Sequence, residues 1–104
     1  MAYRYTVQAT FLEDNVAQEW VNWLRTGHCQ EVLDGGATRV EVVKLEGSEH
    51  SFEVRYDFPD SDTFATYERI HAPRLRAEGL TRFPLTRGVS YARSTGLVIF
   101  DATK

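Results

Sequence analysis

Two stretches of this chain alternate strictly between apolar and polar side chains, and each runs straight into a helical repeat of aromatics. In residues 3–11, Tyr3, Tyr5, Val7, Ala9 and Phe11 fall on one face and Arg4, Thr6, Gln8 and Thr10 on the other, the period-2 pattern of a strand with one buried face. Residues 52–58 repeat it: Phe52, Val54, Tyr56 and Phe58 oppose Glu53, Arg55 and Asp57 until Pro59 stops the run. A strand buried on one side needs a cover for that side, and the apolar stripes that follow each stretch supply it. After the first, Glu13-Asp14-Asn15 offers capping residues, with Gln18 at capping-box spacing from Asn15, before Val16, Trp20, Trp23 and Leu24 recur at helical spacing. This predicts a helix over 14–26 ended by Gly27, with His28 to Leu33 forming a further turn or two before the stop at Asp34-Gly35-Gly36. After the second, Asp60-Ser61-Asp62 caps a helix that carries Phe64, Tyr67, His71 and Leu75 on one side. Pro73 lacks a backbone donor and disfavours helical geometry at Ala72, which predicts a break there and a second helical segment ending near Gly79.

Residues 38–45 are rich in β-branched side chains, and Glu46-Gly47-Ser48-Glu49 supplies turn chemistry, so a hairpin joins this strand to 52–58. Thr81 to Arg87, with Pro84, is predicted as a loop, and a last strand over 88–100 carries Gly96 as a bulge or bend. The order β-α-β-β-α-β is the split arrangement of ferredoxin-like domains: an α+β fold with a four-stranded antiparallel sheet, strand order 4-1-3-2, and two helices on one face. The halves 3–45 and 52–100 form a weak pseudo-repeat, with Trp20/Trp23 ahead of His28 and Phe64/Tyr67 ahead of His71. The uncovered face shows Arg4, Thr6, Gln8 and Thr10 beside Glu53, Arg55 and Asp57, bordered by Val43, Leu45, Val98 or Phe100. A polar centre with an apolar border predicts closure against a second copy around an enclosed cavity, a dimeric α+β barrel; plain solvent exposure is the alternative.

Composition sets the remaining bounds. With 104 residues, 42% apolar and 26% charged, the chain reads as one domain over 1–104. No apolar run approaches the ~18–20 residues of a membrane span, and Met1-Ala2-Tyr3-Arg4-Tyr5 lacks the pattern of a signal peptide, which leads to the expectation of a cytoplasmic protein with no membrane partner. The single cysteine, Cys29, excludes an internal disulfide and a multi-cysteine zinc cage. The net charge of −3 divides unevenly, with 12 acidic and 5 basic side chains in 1–63 against 3 and 7 in 64–104. Arg69, Arg74, Arg76, Arg82, Arg87 and Arg93 fall in a stretch whose one acid is Glu78, and such clusters attract phosphate or carboxylate. The negative total and the lack of a recognition motif argue against nucleic acid, leaving mutual complementation of the halves, or of two copies, as the simpler reading.

Three segments carry a family resemblance: Trp20-x-x-Trp23-Leu24, His28-x-x-Glu31-Val32-Leu33, and Tyr67-x-x-x-His71-Ala72-Pro73-x-Leu75-Arg76. From Tyr5 to about Val98 the chain resembles an uncharacterised bacterial domain family of unknown function, similar in turn to the dimeric α+β barrel superfamily. It departs from the family at Cys29-Gln30, where an apolar residue and a proline are common. The resemblance implies a ferredoxin-like protomer and a homodimer. It implies no single activity, since the superfamily spans cofactor-free monooxygenases, isomerases, haem-handling enzymes and ligand sensors.

His28 and Glu31, three apart on a helix, share a face, so the carboxylate would orient the imidazole as a general base; the plainer alternative is a helix-end histidine beside a solvated Glu31. Cys29 points about 100° away from His28 and forms no dyad with it, so it reads as a small buried thiol. His28, His50 and His71 contain no pair at i,i+4, so no metal or haem cofactor is expected. Trp23 and Tyr67 would border a helix-side cleft, and His71, Arg76 and Arg82 would contact an aromatic or carboxylate-bearing ligand. Arg4, Gln8 and Arg55 would line the cavity between two sheets. Two functions stay open: a small-molecule-binding protein with cofactor-independent monooxygenase or isomerase chemistry at His28 and Glu31, and a non-catalytic homodimeric module that binds a metabolite or a protein.

Overall fold

A computed structural model describes residues 1–47 and 49–104. The elements follow the expected order: β1 (Tyr3–Phe11), α1 (Asp14–Trp23), a π-helical turn (Leu24–His28), α2 (Cys29–Asp34), β2 (Arg39–Lys44), β3 (His50–Phe58), α3 (Ser61–Ile70), α4 (Ala72–Arg82), a 3-10 turn (Leu85–Arg87) and β4 (Val89–Leu97). They form an antiparallel sheet ordered β2-β3-β1-β4, with helices on one face, the ferredoxin-like α+β arrangement. The Ser48 position of the expected hairpin turn lies outside the described residues.

Register follows from the alternation. Tyr5 stands opposite Tyr56, Val7 opposite Val54 and Ala9 opposite Phe52, so both central strands send their apolar residues to the helical side. Trp20, Leu24 and Val32 from the first helical arm, with Tyr67, Ala72 and Leu75 from the second, close over them as one core. Asp60 caps α3 as its sequence predicts: its carboxylate accepts from the Thr63 amide and hydroxyl, both at 2.7 Å. The break before Pro73 also forms, with His71 joining α3 to α4.

Four local expectations need correction. The residue capping α1 is Glu13, without a side-chain cap bond, so the Asn15/Gln18 capping box does not form; β1 runs on to Phe11, and the Leu12 amide is already bound to the Gly88 carbonyl at 2.9 Å. Gly27 does not end the first helix but sits inside a wider turn in which the Cys29 amide reaches back five residues to the Leu24 carbonyl. Gly79 does not end α4 either: the Phe83 amide bonds to its carbonyl at 2.8 Å, and α4 takes in Thr81 and Arg82 from the expected loop. Finally, β4 ends at Leu97, and Gly96 pairs in regular register with Arg4, so no bulge interrupts the strand.

On the uncovered face the charges pair within the sheet. Arg4 bonds to Asp57 at 2.8 Å and Arg55 to Glu53 at 2.8 Å, with Glu41 at 3.5 Å from Arg55, while Thr10 and Ser51 share a hydrogen bond of 2.9 Å. Leu97 shares the helical-side parity of Tyr3, and Ile99 and Phe100 are exposed beyond the end of β4.

Candidate functional site

The π-helical turn decides which way the first arm faces. In an α-helix, residues five apart point about 140° away from each other. The wider turn instead lays the His28 ring on the Trp23 ring, with centroids 4.2 Å apart and planes 23° apart. Trp23 in turn packs on Phe83, at 5.5 Å, so histidine, tryptophan and phenylalanine stand in a row along one wall.

In that wall, His28 and Trp23 face a cleft of about 560 Å³, counted out into the solvent at its open mouth, between the helices and the sheet. The floor is Tyr5, Val7, Val54 and Tyr56 from the central strands; Tyr67 and Leu75 close one side. At the mouth, Arg76, Gly79 and Leu80 of α4 face Tyr91 and Arg93 of β4. The space exists partly because position 79 has no side chain, since a Cβ there would stand 3.3 Å from the tip of the Trp23 ring. The lining is aromatic with a few polar atoms, the usual composition of small-molecule sites.

Two of those polar atoms are buried without a partner, His28 Nδ1 and Arg76 Nε. Leaving such a group unsatisfied costs roughly 1–3 kcal/mol, and buried polar atoms in native proteins are nearly always bonded to protein, water or ligand. Both atoms belong to residues that line this one cleft. Burial also lowers the His28 pKa to about 4, against a smaller opposing pull from Glu78, so the ring is neutral at pH 7. Burial pushes the phenols of Tyr56, Tyr67 and Tyr91 upward, so they serve as neutral hydrogen-bonding groups. The Tyr91 hydroxyl donates to the Phe83 carbonyl at 2.9 Å.

Of the residues singled out from sequence, Trp23, His28, Tyr67 and Arg76 meet in the cleft. Glu31 does not join His28: its carboxylate lies 3.6 Å from the Arg74 guanidinium, and His28 Nδ1 has no partner. A spacing of three that would suit a regular helix brings no pair together here, because the π-turn ends at His28 and re-aims its ring onto Trp23. His71 packs beneath the site, its ring 6.3 Å from Tyr67 and so close to Gly35 that a Cβ there would stand 3.2 Å from it. Arg82 lies in a shallow surface depression with Glu19, Thr26 and Arg87, on another side of Trp23. Arg4, Gln8 and Arg55 belong to the opposite face of the sheet. Cys29 is half-buried beside Tyr56, with its thiol pKa raised by burial, which suits packing rather than nucleophilic attack. Tyr5, Tyr56 and Tyr91 are cleft residues that sequence reasoning did not select, and Arg93 enters it only as one of a cluster of six arginines. Arg93 had a readable signal: it continues the inward parity of Val89 and Tyr91 along β4, where a charge calls for a partner.

Among the described residues no three potential ligands of the His, Cys, Asp and Glu type gather to hold a metal ion, and no helix is long and apolar enough to cross a membrane. Residues 2–93 match the family described as Domain of unknown function (DUF4286). Comparison with curated proteins finds no matching sequence. Among solved structures, a dimeric ferredoxin-like protein from an uncultured marine organism is similar at 11% identity over 100% of both chains, with a TM-score of 0.77. SnoaB, a cofactor-independent oxygenase from Streptomyces nogalater, is similar at 10% identity over 99% of this chain and 98% of its own, with a TM-score of 0.69. A variant of MhuD with two manganese protoporphyrin IX molecules bound per active site is similar at 9% identity over 97% and 99%, with a TM-score of 0.67. At these identities the likeness is one of fold.

Proposed function

The chain belongs to the DUF4286 family, and from that premise we propose that it is a small-molecule-binding protein, one domain over residues 1–104, whose ligand sits in the cleft between helices and sheet. The observation that carries this is one aromatic-walled cleft lined by both His28 and Arg76, each of which holds a buried polar atom without a partner. A ligand with polar atoms at both places would remove two desolvation penalties at once.

Binding is better supported than base catalysis. An imidazole whose conjugate acid ionises near 4 is a poor base for an ordinary phenol near 10, a mismatch of about 6 pKa units or about 8 kcal/mol. With Glu31 turned to Arg74, His28 would also work without an orienting carboxylate. Cofactor-independent oxygenase or isomerase chemistry, in line with the fold's likeness to SnoaB, therefore requires a substrate that raises His28 on binding or arrives already ionised. A non-catalytic metabolite-binding role requires neither. The cleft reading is checked by NMR titration of the isotope-labelled protein with indole and 1-naphthalenemethanol. Shifts are expected at the Trp20 and Trp23 indoles, His28 and Gly79; shifts confined to Thr6, Gln8 and Arg55 on the other sheet face would refute it.

The reading includes a homodimer closed through the uncovered sheet faces, where paired charges form the centre and Val43 stands opposite Glu53 towards one edge. The likeness to a structure described as a dimeric ferredoxin-like protein supports it. Light scattering over a dilution series is expected to give about twice 11.9 kDa. A constant mass of one chain would remove the dimer and leave the cleft untouched.

A further inference from the structure

The mouth of the cleft carries a narrower statement about the ligand, which rests on the cleft being the binding site as proposed above. Arg76 donates one terminal N–H to Glu68, while its buried Nε has no partner. Across the mouth, Arg93 stands opposite Val7 on the helical side of the sheet and donates its Nε to the Tyr5 hydroxyl at 3.1 Å. Among the described residues, the ion pairs include none to Arg93. Tyr5 bears on both cations: burial pulls the Arg76 pKa down, and the Tyr5 hydroxyl and Glu68 more than restore it. Two guanidiniums thus flank the Tyr5 hydroxyl, and only Arg76 has a carboxylate, Glu68, so among the described residues Arg93 brings one positive charge without an ion-pair partner to the edge of an aromatic space. A lone cation at the lip of a low-dielectric cleft concentrates anions there.

We propose that Arg76 and Arg93 together form a receptor for the carboxylate of an aromatic acid, whose rings lie against Trp20, Trp23 and Tyr91. The carboxylate accepts from the Arg76 guanidinium and from the terminal N–H groups of Arg93, whose Nε stays on Tyr5. Charge sets the class: a monoanion neutralises the mouth, whereas a dianion such as a phosphate monoester leaves an excess negative charge against Glu68. The lining agrees, since the remaining cleft offers flat rings rather than further cations.

The test is a matched pair of probes, 1-naphthoate and 1-naphthalenemethanol, titrated by NMR into the wild-type protein and into Arg93→Gln. Arg93 is exposed on an edge strand, so its replacement leaves the core and the β1–β4 ladder in place, which an unchanged amide spectrum away from the mouth verifies. The naphthoate is expected to bind roughly tenfold or more tightly than the alcohol, and Arg93→Gln to erase most of that advantage without weakening the alcohol. Equal affinity for acid and alcohol in the wild type would overturn the receptor and leave the cleft standing. A preference for the acid that survives Arg93→Gln would overturn it as well, since the anion would then sit elsewhere. No binding of either probe in the cleft would refute the cleft reading itself, and the receptor with it.

Discussion

Between pH 7 and pH 4 the protein is expected to lose about 3 kcal/mol of folding stability through His28 alone. The folded ring titrates at about 4 because it is buried, while a histidine in the unfolded chain titrates near 6.5, a difference of about 2.5 units at 1.36 kcal/mol each. In that window the unfolded chain takes up a proton that the folded chain refuses. Stability therefore falls as pH drops through 6.5, continues to fall towards 4, and is insensitive to this group below it. Acidic residues add their own pH dependence, so the measurement is a comparison. Urea unfolding of wild type and His28→Phe at pH 7, 5.5 and 4 should show the variant gaining on the wild type by about 3 kcal/mol across the series. Phenylalanine keeps a ring against Trp23 and removes both the titrating nitrogen and the unsatisfied Nδ1. Parallel pH profiles for the two chains would mean that His28 is solvated, and would take one of the two orphans out of the functional argument.

A loss of about 3–5 kcal/mol is expected for Phe58→Ala, the largest single effect of any substitution considered. Phe58 is the last residue of β3 and is 0% exposed. Its ring meets Phe64 edge-on at 5.1 Å and Tyr67 at 5.2 Å, so with Tyr3 and Tyr5, which also pack on Phe64, it seats α3 on the sheet. Alanine leaves a void that β3 and α3 cannot both move to fill, because β3 is held between β1 and β2 and α3 is fixed by its Asp60 cap. Tyr67 closes one side of the cleft, so the near-ultraviolet signal of the aromatic cluster and the affinity for naphthyl probes should both fall in the folded variant. A loss under about 1.5 kcal/mol in denaturant unfolding would show that the helix settles onto the sheet after all.

How far these features can be read from residues alone depends on the range of the physics behind them. Alternation in β1 and β3 is enforced at every second residue by burial on one side, so strands, faces and strand order are all legible. The cap at Asp60 and the break at Pro73 depend on one residue and its neighbours, and they too are legible. Gly27 and Gly79 mislead because a glycine's local preference for ending a helix is overruled by packing: one lies in the wide turn that stacks His28 on Trp23, the other makes space for that tryptophan. The same wide turn defeats the His28–Glu31 pairing, since a spacing rule holds only while the helix is regular. Trp23, Tyr67 and Arg76 reach the cleft because they lie on core-facing helical stripes. Arg93 was the missing partner; its inward parity on β4 is visible in the sequence, but its closeness to Tyr5 comes from a pairing 88 residues apart.

The glycine in α4 also bears on how such a protein diverges. Alanine at position 79 would favour the helix by about 0.8–1 kcal/mol, yet its methyl group would press on Trp23 across the opening. Helix stability and aperture are thus set against each other at one site, where a single-step mutation acts as a gauge for the bulk admitted. If the cleft holds a ligand as proposed, descendants that turned to thinner ligands would have reason to accept the methyl group, and those with wide aromatic ones would have to refuse it.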